Sequence, residues 1–277
     1  MISVKPVVVV VDNDSFSSAL KHIEGVSDLN SSRSPVFVKV GIYNPRTGIC
    51  STVKTLQQIV KCFDRAPIIR VTESDSRAGP GLKRLEIWKD CYNEHVVPFN
   101  LTDDVDTIDA NIAGESVPFS KSLSLPKTFI STHVPRRYED AGLEDLMNLG
   151  FVIKNLLGMI PDKKKNRFHK RLPAALLDIY EAIGGIDLAV LDATHVYLGF
   201  GKKRVTVTSN LLIVGTDAFA VEAVGGYLVG FEPATMPVLQ EAKERGLGEI
   251  ELSKTRIIGD LETQRDMISE AFRRLKH

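Results

Sequence analysis

The sequence predicts an α/β fold, a mostly parallel sheet with helices on both faces, gathered into a single domain with an irregular excursion. Three observations carry that expectation. Short runs rich in Val, Ile and Phe recur along the 277 residues without polar alternation, as strands covered on both faces require. Segments with apolar residues spaced three and four apart separate these runs, and strands alternating with helices give right-handed crossovers. At roughly 150 residues per domain the length allows one large unit or two modest ones. No repeat or low-complexity linker divides the chain, so residues 1–277 are read as one α/β domain, with an excursion at 100–126 and a basic loop at 161–173.

In chain order, the strongest strand segments are 7–11, 36–40, 68–71, 96–99, 188–191 and 211–214, with weaker ones at 128–130, 196–198 and 256–258. Val53, Leu56, Ile59, Val60 and Phe63 form one helical face. Noisier stripes predict helices over 82–91, 143–157, 173–183, 217–228, 235–245 and 261–275. The stretch 100–126 is rich in acids (Asp103, Asp104, Asp106, Asp109, Glu115) but lacks the glycine and terminal glutamate of an EF-hand loop, so it reads as a solvated acidic loop.

Composition excludes several classes. With 43% hydrophobic and 25% charged residues the chain is neither disordered nor collagen-like. Lys plus Arg equal Asp plus Glu at 35 each, so net charge gives no argument for nucleic acid or an anionic membrane, although a local patch still can. Cys50, Cys62 and Cys91 lack Cys-x-x-Cys spacing, which fits a reduced, cytoplasmic setting and no zinc or iron–sulfur site. The apolar run at 7–11 is too short for a signal peptide, and the run at 218–231 contains Glu222 and falls short of the ~20 residues that span a bilayer. The histidines show no His-Glu-x-x-His pairing, and the dinucleotide fingerprint, the Walker A string and the Gly-x-Ser-x-Gly elbow are all missing.

Candidate site residues come from a general rule: in open α/β sheets ligands lie beyond the carboxyl ends of the strands. Polar residues just after the apolar runs are Asp12, Asn13, Lys39, Asn44, Glu73, Ser74, Asp75, Thr132, His133, Asp192, Thr194, Thr216 and Asp217. If the strands are parallel, these converge on one rim. Each also has a plainer reading: Asp217 as a helix N-cap, Asp192 as the start of a turn, 73–75 as a surface turn. Lys39 lies inside an apolar strand, where an ammonium needs an anion nearby or a snorkelling path to water. Lys154 and Asn155 interrupt an apolar segment. The run 162–171 carries six cations against one acid, enough to steer an anionic substrate or dock a partner, or simply a solvated basic loop.

The ordered motifs resemble a prokaryotic family, the domain of unknown function numbered 362. They are Val38-Lys39-Val40-Gly41-Ile42-Tyr43-Asn44-Pro45, Val71-Thr72-Glu73-Ser74, Thr132-His133-Val134, Lys154-Asn155-Leu156-Leu157-Gly158-Met159-Ile160-Pro161 with Lys165 and His169, Asp192-Ala193, and 215–224. The resemblance implies an α/β fold and a cytoplasmic setting, and it supplies no reaction. Some relatives carry ferredoxin-like cysteine clusters, which this chain lacks. It also has Ala218 where proline is frequent, Glu222 where aspartate is frequent, and Ser131-Thr132-His133 in place of a lysine–histidine motif.

The function expected from sequence is the binding of a small anionic metabolite, with or without a divalent metal, at the strand carboxyl ends. Lys154, His133 and His169 are the catalytic candidates. Lys39, Asn44, Asn155, Glu73 and Asp217 are the ligand-binding candidates, and Asp192 is the metal candidate. No cofactor is assigned, and whether the chain is an enzyme stays open. Nucleic acid and membrane are disfavoured as partners. The alternative is a noncatalytic binding or redox-accessory protein that docks a protein partner through the basic loop 163–171.

Overall fold

The computed structural model describes residues 5–138, 150–199 and 204–276. Its centre is a sheet of nine strands: β1 (Val7–Asp12), β2 (Val36–Val40), β3 (Ile69–Glu73), β4 (Val96–Asn100), β7 (Thr128–His133), β8 (Arg136–Arg137), β9 (Leu188–Leu198), β10 (Val205–Gly215) and β11 (Arg256–Ile258), in the order β11-β1-β10-β9-β7-β2-β3-β4 with β8 beside β9. A separate hairpin joins β5 (Thr107–Ile112) to β6 (Glu115–Ser120). The helices are α1 (Phe16–Leu20), α2 (Val26–Leu29), α3 (Val53–Cys62), α4 (Gly81–Leu85), α5 (Leu172–Ala182), α6 (Ala218–Leu228), α7 (Pro237–Arg245) and α8 (Leu261–Lys276). The chain is α/β, with a mostly parallel sheet covered on both sides. Among the described residues no helix is long and apolar enough to cross a membrane.

Alternation along each strand builds two cores. Val8, Val10, Phe37, Phe129, Ala189 and Leu191 face one side, where Leu176, Val221, Leu239 and Ile268 of α5 to α8 pack. Val9, Val36, Val38, Ile130 and Val190 face the other, against Phe16, Leu56, Ile59 and Trp88. Both faces of each central strand pack against apolar side chains, which explains why these runs read as continuous rather than alternating.

Several elements differ from the sequence reading. Residues 188–198 form one strand, because the polar Asp192 and Thr194 are satisfied in place: the Asp192 carboxylate accepts from Thr52 N (2.6 Å), Thr52 Oγ1 (2.8 Å) and Thr194 N (3.1 Å). A polar interruption that elsewhere marks a turn is here internal to a strand. Thr52 in turn caps α3, accepting from Thr55 N. The excursion at 100–126 contains the β5–β6 hairpin, closed by Ala113 (φ 47°) and Gly114 (φ 82°), two successive left-handed residues that match the twist of a two-residue hairpin. Its turn lacks the usual Asn-Gly signature. The segment 82–91 splits into α4 and a 3₁₀ turn, Glu86–Cys91, in which Trp88 departs from helical geometry and donates its indole N–H to Ser51 O. Of the helix expected over 143–157, residues 143–149 lie outside the described residues, and Lys154–Met159 is a 3₁₀ helix.

The register also corrects the single-rim expectation. β10 pairs antiparallel with both β1 and β9, whereas the β2–β3, β2–β7, β3–β4, β7–β9 and β1–β11 pairs are parallel. Gly215, at the end of β10, lies opposite Val8 and Ala189 near the starts of their strands. Thr216 and Asp217 therefore sit on the opposite edge from the residues that follow β2, β3 and β7. There Asp217 is the N-cap of α6, accepting from Phe219 N (2.9 Å) and Ala220 N (3.0 Å), with Glu249 N on its other oxygen (2.9 Å).

Replacing Asp217 with Ala removes the acceptor of two α6 donors and one loop donor, and urea denaturation should show a loss of about 2 kcal/mol. A change below a few tenths would contradict the capping role.

Candidate functional site

The carboxyl ends of β2, β3 and β7 open into a cavity of about 400 Å³, within the size range of metabolite pockets. Five of its walls follow from the topology. Lys39 comes from β2, with Ile42 and Tyr43 in the loop after it. Glu73 ends β3 and is followed by Ser76 and Arg77; Arg84 projects from α4. His133 ends β7 and is followed by Arg136 and Tyr138. The 3₁₀ helix Lys154–Met159 supplies Lys154, Asn155, Leu157 and Gly158, and the 3₁₀ helix Lys165–Arg171 supplies Lys165, Asn166 and His169, with Lys163 just before it.

Beneath the cavity lies a buried ion cluster. Glu73 Oε1 is 2.9 Å from Lys39 Nζ and Oε2 is 2.7 Å from Arg84 Nη1, with every side chain at most 3% exposed. The Lys39 ammonium also donates to Val40 O (2.8 Å) and Asn155 Oδ1 (3.0 Å), so its three protons have three acceptors inside the protein. Burial lowers the Lys39 pKa, opposed by the Glu73 carboxylate. Asn155 is oriented by the same cluster: its oxygen faces the ammonium, and its NH₂ is within reach of Lys39 O, Ser131 Oγ and Thr132 O. Arg84 donates to Ile42 O (2.8 Å) and also to Ser74 O, fastening the loops after β2 and β3 to one guanidinium.

Lys165 is similarly committed. It donates to Ser74 Oγ (2.8 Å), Asp162 O (2.8 Å) and Asp75 O, and burial brings its pKa down to about 8. The remaining cationic groups crowd one another. Burial, then Arg136, pushes the Lys154 pKa well below its usual value. Burial followed by Arg136, Lys39 and Lys154 pushes His133 well down, and burial with Lys154 and Arg77 lowers His169. The Arg136 guanidinium lies 5.4 Å from the Tyr138 ring centroid, and its Nε is buried without a hydrogen-bond partner. His133 is 5% exposed, its Nδ1 also buried and unpartnered. Gly41 makes room for this ring, since a Cβ there would sit 2.1 Å from Nδ1.

Behind Lys154, Glu222 on α6 is fully buried. It accepts from the Phe151 and Ile153 amides, and burial raises its pKa to about 7. This carboxylate holds the bend that delivers Lys154 and Asn155 to the cavity.

Of the residues singled out from sequence, Lys39, Glu73, His133, Lys154, Asn155 and His169 line this one cavity. Asn44 does not; it caps the 3₁₀ turn Pro45–Thr47, accepting from Arg46 N, and borders an adjoining groove. Asp217 lies on the opposite edge, as described. Asp192 spends both carboxylate oxygens on Thr52 and Thr194, and among the described residues no group of three or more His, Cys, Asp or Glu side chains is arranged to hold a metal ion. The sequence reading passed over Arg84, Arg77 and Arg136. Arg136 follows a strand end and was within reach of the rule that found His133, whereas Arg84 lies in an amphipathic stretch and carries no signal.

The geometry yields a sharp test of packing around the ion cluster. A Cβ on Gly158 would lie 2.6 Å from Lys39 Cε and 2.7 Å from Glu73 Oε1. Gly158→Ala should cost about 1–3 kcal/mol in urea unfolding, because the clash falls on atoms held by three bonds rather than on a mobile tip; unchanged stability would show the cluster to be loose.

The sequence profile of a family described as a domain of unknown function (DUF362) matches residues 36–226. That range includes every wall of the cavity and Glu222. No curated protein matches the chain.

Proposed function

We propose that this chain, which belongs to the DUF362 family, binds a small anionic metabolite in the cavity beyond β2, β3 and β7. One observation carries the reading: among the described residues seven Lys and Arg side chains line the cavity and one carboxylate does, Glu73, which is already shared by Lys39 and Arg84. Cations assembled at the cost of one another's protonation make a site whose field favours an entering anion.

The hydrogen bonds divide the work. Lys39 and Lys165, with all three protons engaged, act as fixed charges that position the walls. Arg136, whose buried Nε has no acceptor among the described residues, contacts the anion, Lys154 and His169 border it, and His133 faces it as a neutral imidazole suited to accept a proton. Tyr43, Tyr138, Ile42 and Leu157 provide apolar surface for the body of the metabolite.

Docking through the basic run 163–171 is less well supported. Arg167 is bound to Asp162 (2.9 Å) and Glu115 (2.8 Å), Arg171 to Glu115 (3.1 Å), and Lys165 turns inward. With Lys163 within 3.7 Å of Asp75, four of the run's six cations are thus engaged within the molecule.

Sulfate keeps constant charge between pH 6 and 9.5 and is a suitable probe. Lys165 titrates at about 8 in the free protein, and a bound anion raises that pKa. The interaction is therefore complete below about pH 8 and is lost as pH climbs through the higher, bound-state value. Calorimetry should show sulfate affinity falling above about pH 8 with proton uptake on binding, and Arg136→Gln should weaken it by about tenfold or more. A flat pH profile together with an unaffected Arg136→Gln variant would refute the reading.

A further inference from the structure

Beside the cavity runs a second hollow of about 740 Å³, bordered by Asn44, Arg46, Arg77, Lys83, Arg84 and Glu86. Arg77 and Arg84 line both spaces, so the two are continuous across these side chains. The backbone makes the same passage: Ile42 and Tyr43 face the inner cavity, and Asn44 to Arg46 face the outer hollow. Arg77 stands on a tight turn closed by reciprocal Ser76–Gly79 backbone bonds of 3.0 and 3.1 Å, so its placement at the junction is fixed by main chain.

The outer hollow gathers several cations around one space. Several exposed cations elsewhere are paired: Arg245 with Asp178, Glu181 and Glu241, Lys243 and Lys254 with Glu251, Arg273 and Arg274 with Glu270. Arg46, Arg77 and Lys83 have no carboxylate within ion-pair distance among the described residues, and Glu86 is the one acid on the hollow's border. In a chain with equal numbers of acids and bases, three unpaired cations contiguous with an anion-demanding cavity mark an extension of it. On the wall of the inner cavity, next in the chain to Asn44 of the outer hollow, Tyr43 leaves a large ring 58% exposed.

We infer that the ligand is an elongated, two-headed anion. One anionic group sits in the inner cavity at Arg136, its apolar or aromatic middle lies along Tyr43, and a second anionic group rests among Arg46, Arg77 and Lys83. This inference rests on the anion-binding reading of the inner cavity and adds the substrate class. Two heads joined by a spacer of matching length reinforce each other, because binding the first raises the effective concentration of the second.

The test is calorimetric titration of the full chain with linear α,ω-alkane bisphosphonates of increasing length, alongside the matching monophosphonates. Affinity should peak at one spacer length and exceed that of the monophosphonate by on the order of 100-fold. In the Arg46→Gln/Lys83→Gln variant, whose replaced side chains are exposed and whose fold is checked by its melting temperature, the bisphosphonate should fall to the monophosphonate level. A monophosphonate that binds, with no bisphosphonate binding better, overturns the two-headed ligand and leaves the inner site standing. A length optimum that survives in the double variant overturns the placement of the second head. Failure of both series to bind, or binding indifferent to Arg136→Gln, overturns the inner site as well.

Discussion

The Glu73 carboxylate is the interaction on which the cavity depends. It lies at the end of a central parallel strand, fully buried, and accepts from two cations that arrive from different elements, Lys39 on β2 and Arg84 on α4. Removing one partner from such a cluster leaves a charge in low dielectric without compensation, at a cost of about 3–5 kcal/mol. The cluster does more than satisfy itself. Through Arg84 it holds the carbonyls of Ile42 and Ser74; through Lys39 and Asn155 it holds the 3₁₀ turn at 154–159. Ser74 next to it lies within hydrogen-bond reach of Ile160 O and accepts from Lys165. Four separate loops thus take their positions from one carboxylate.

Sequence patterning made the fold legible because the central strands are covered on both sides. Val36–Val40 and Ile69–Glu73 are nearly uniform in burial, so apolar runs marked them directly. The hairpin at Thr107–Ile112 and Glu115–Ser120 was not legible, since most of β5 is exposed and its turn uses Ala113 in place of asparagine. The first half of β10 was missed for a related reason: its residues alternate between half-buried and exposed, a weaker signal than a buried run.

The lining of the cavity was legible where it followed strand ends. Glu73 and His133 were singled out because each follows an apolar run, and Lys39 because a lysine within such a run demands an anion, which Glu73 supplies. Asp217 was found by the same rule and misplaced by it. The rule presumes parallel strands, and reversal of β10 sends its carboxyl end to the far edge. Periodicity does not report strand direction, so no reading of apolar runs separates Asp217 from Glu73. Arg84 escaped for the opposite reason, an arginine in an amphipathic segment looking like solvent-facing charge until packing buries it.

Arg136 Nε and His133 Nδ1, buried without a hydrogen-bond partner among the described residues, distinguish these two side chains from the scaffold. A lysine with three internal acceptors offers a ligand its field and no hydrogen bond, so on the proposed reading Lys39 and Lys165 act on an anion at a distance while their geometry stays fixed. His133 is in the reverse condition, with Nδ1 closed against Gly41 and no internal partner. Charging it in the empty site would add a cation beside Arg136, Lys39 and Lys154 and bury an unsatisfied N–H, which keeps it neutral. On the proposed reading, an entering anion offsets those neighbouring charges and removes most of the electrostatic penalty for protonating the ring. Proton acceptance by His133 is then coupled to occupancy, a property that follows from the surplus of fixed cations around it rather than from any feature of the histidine alone.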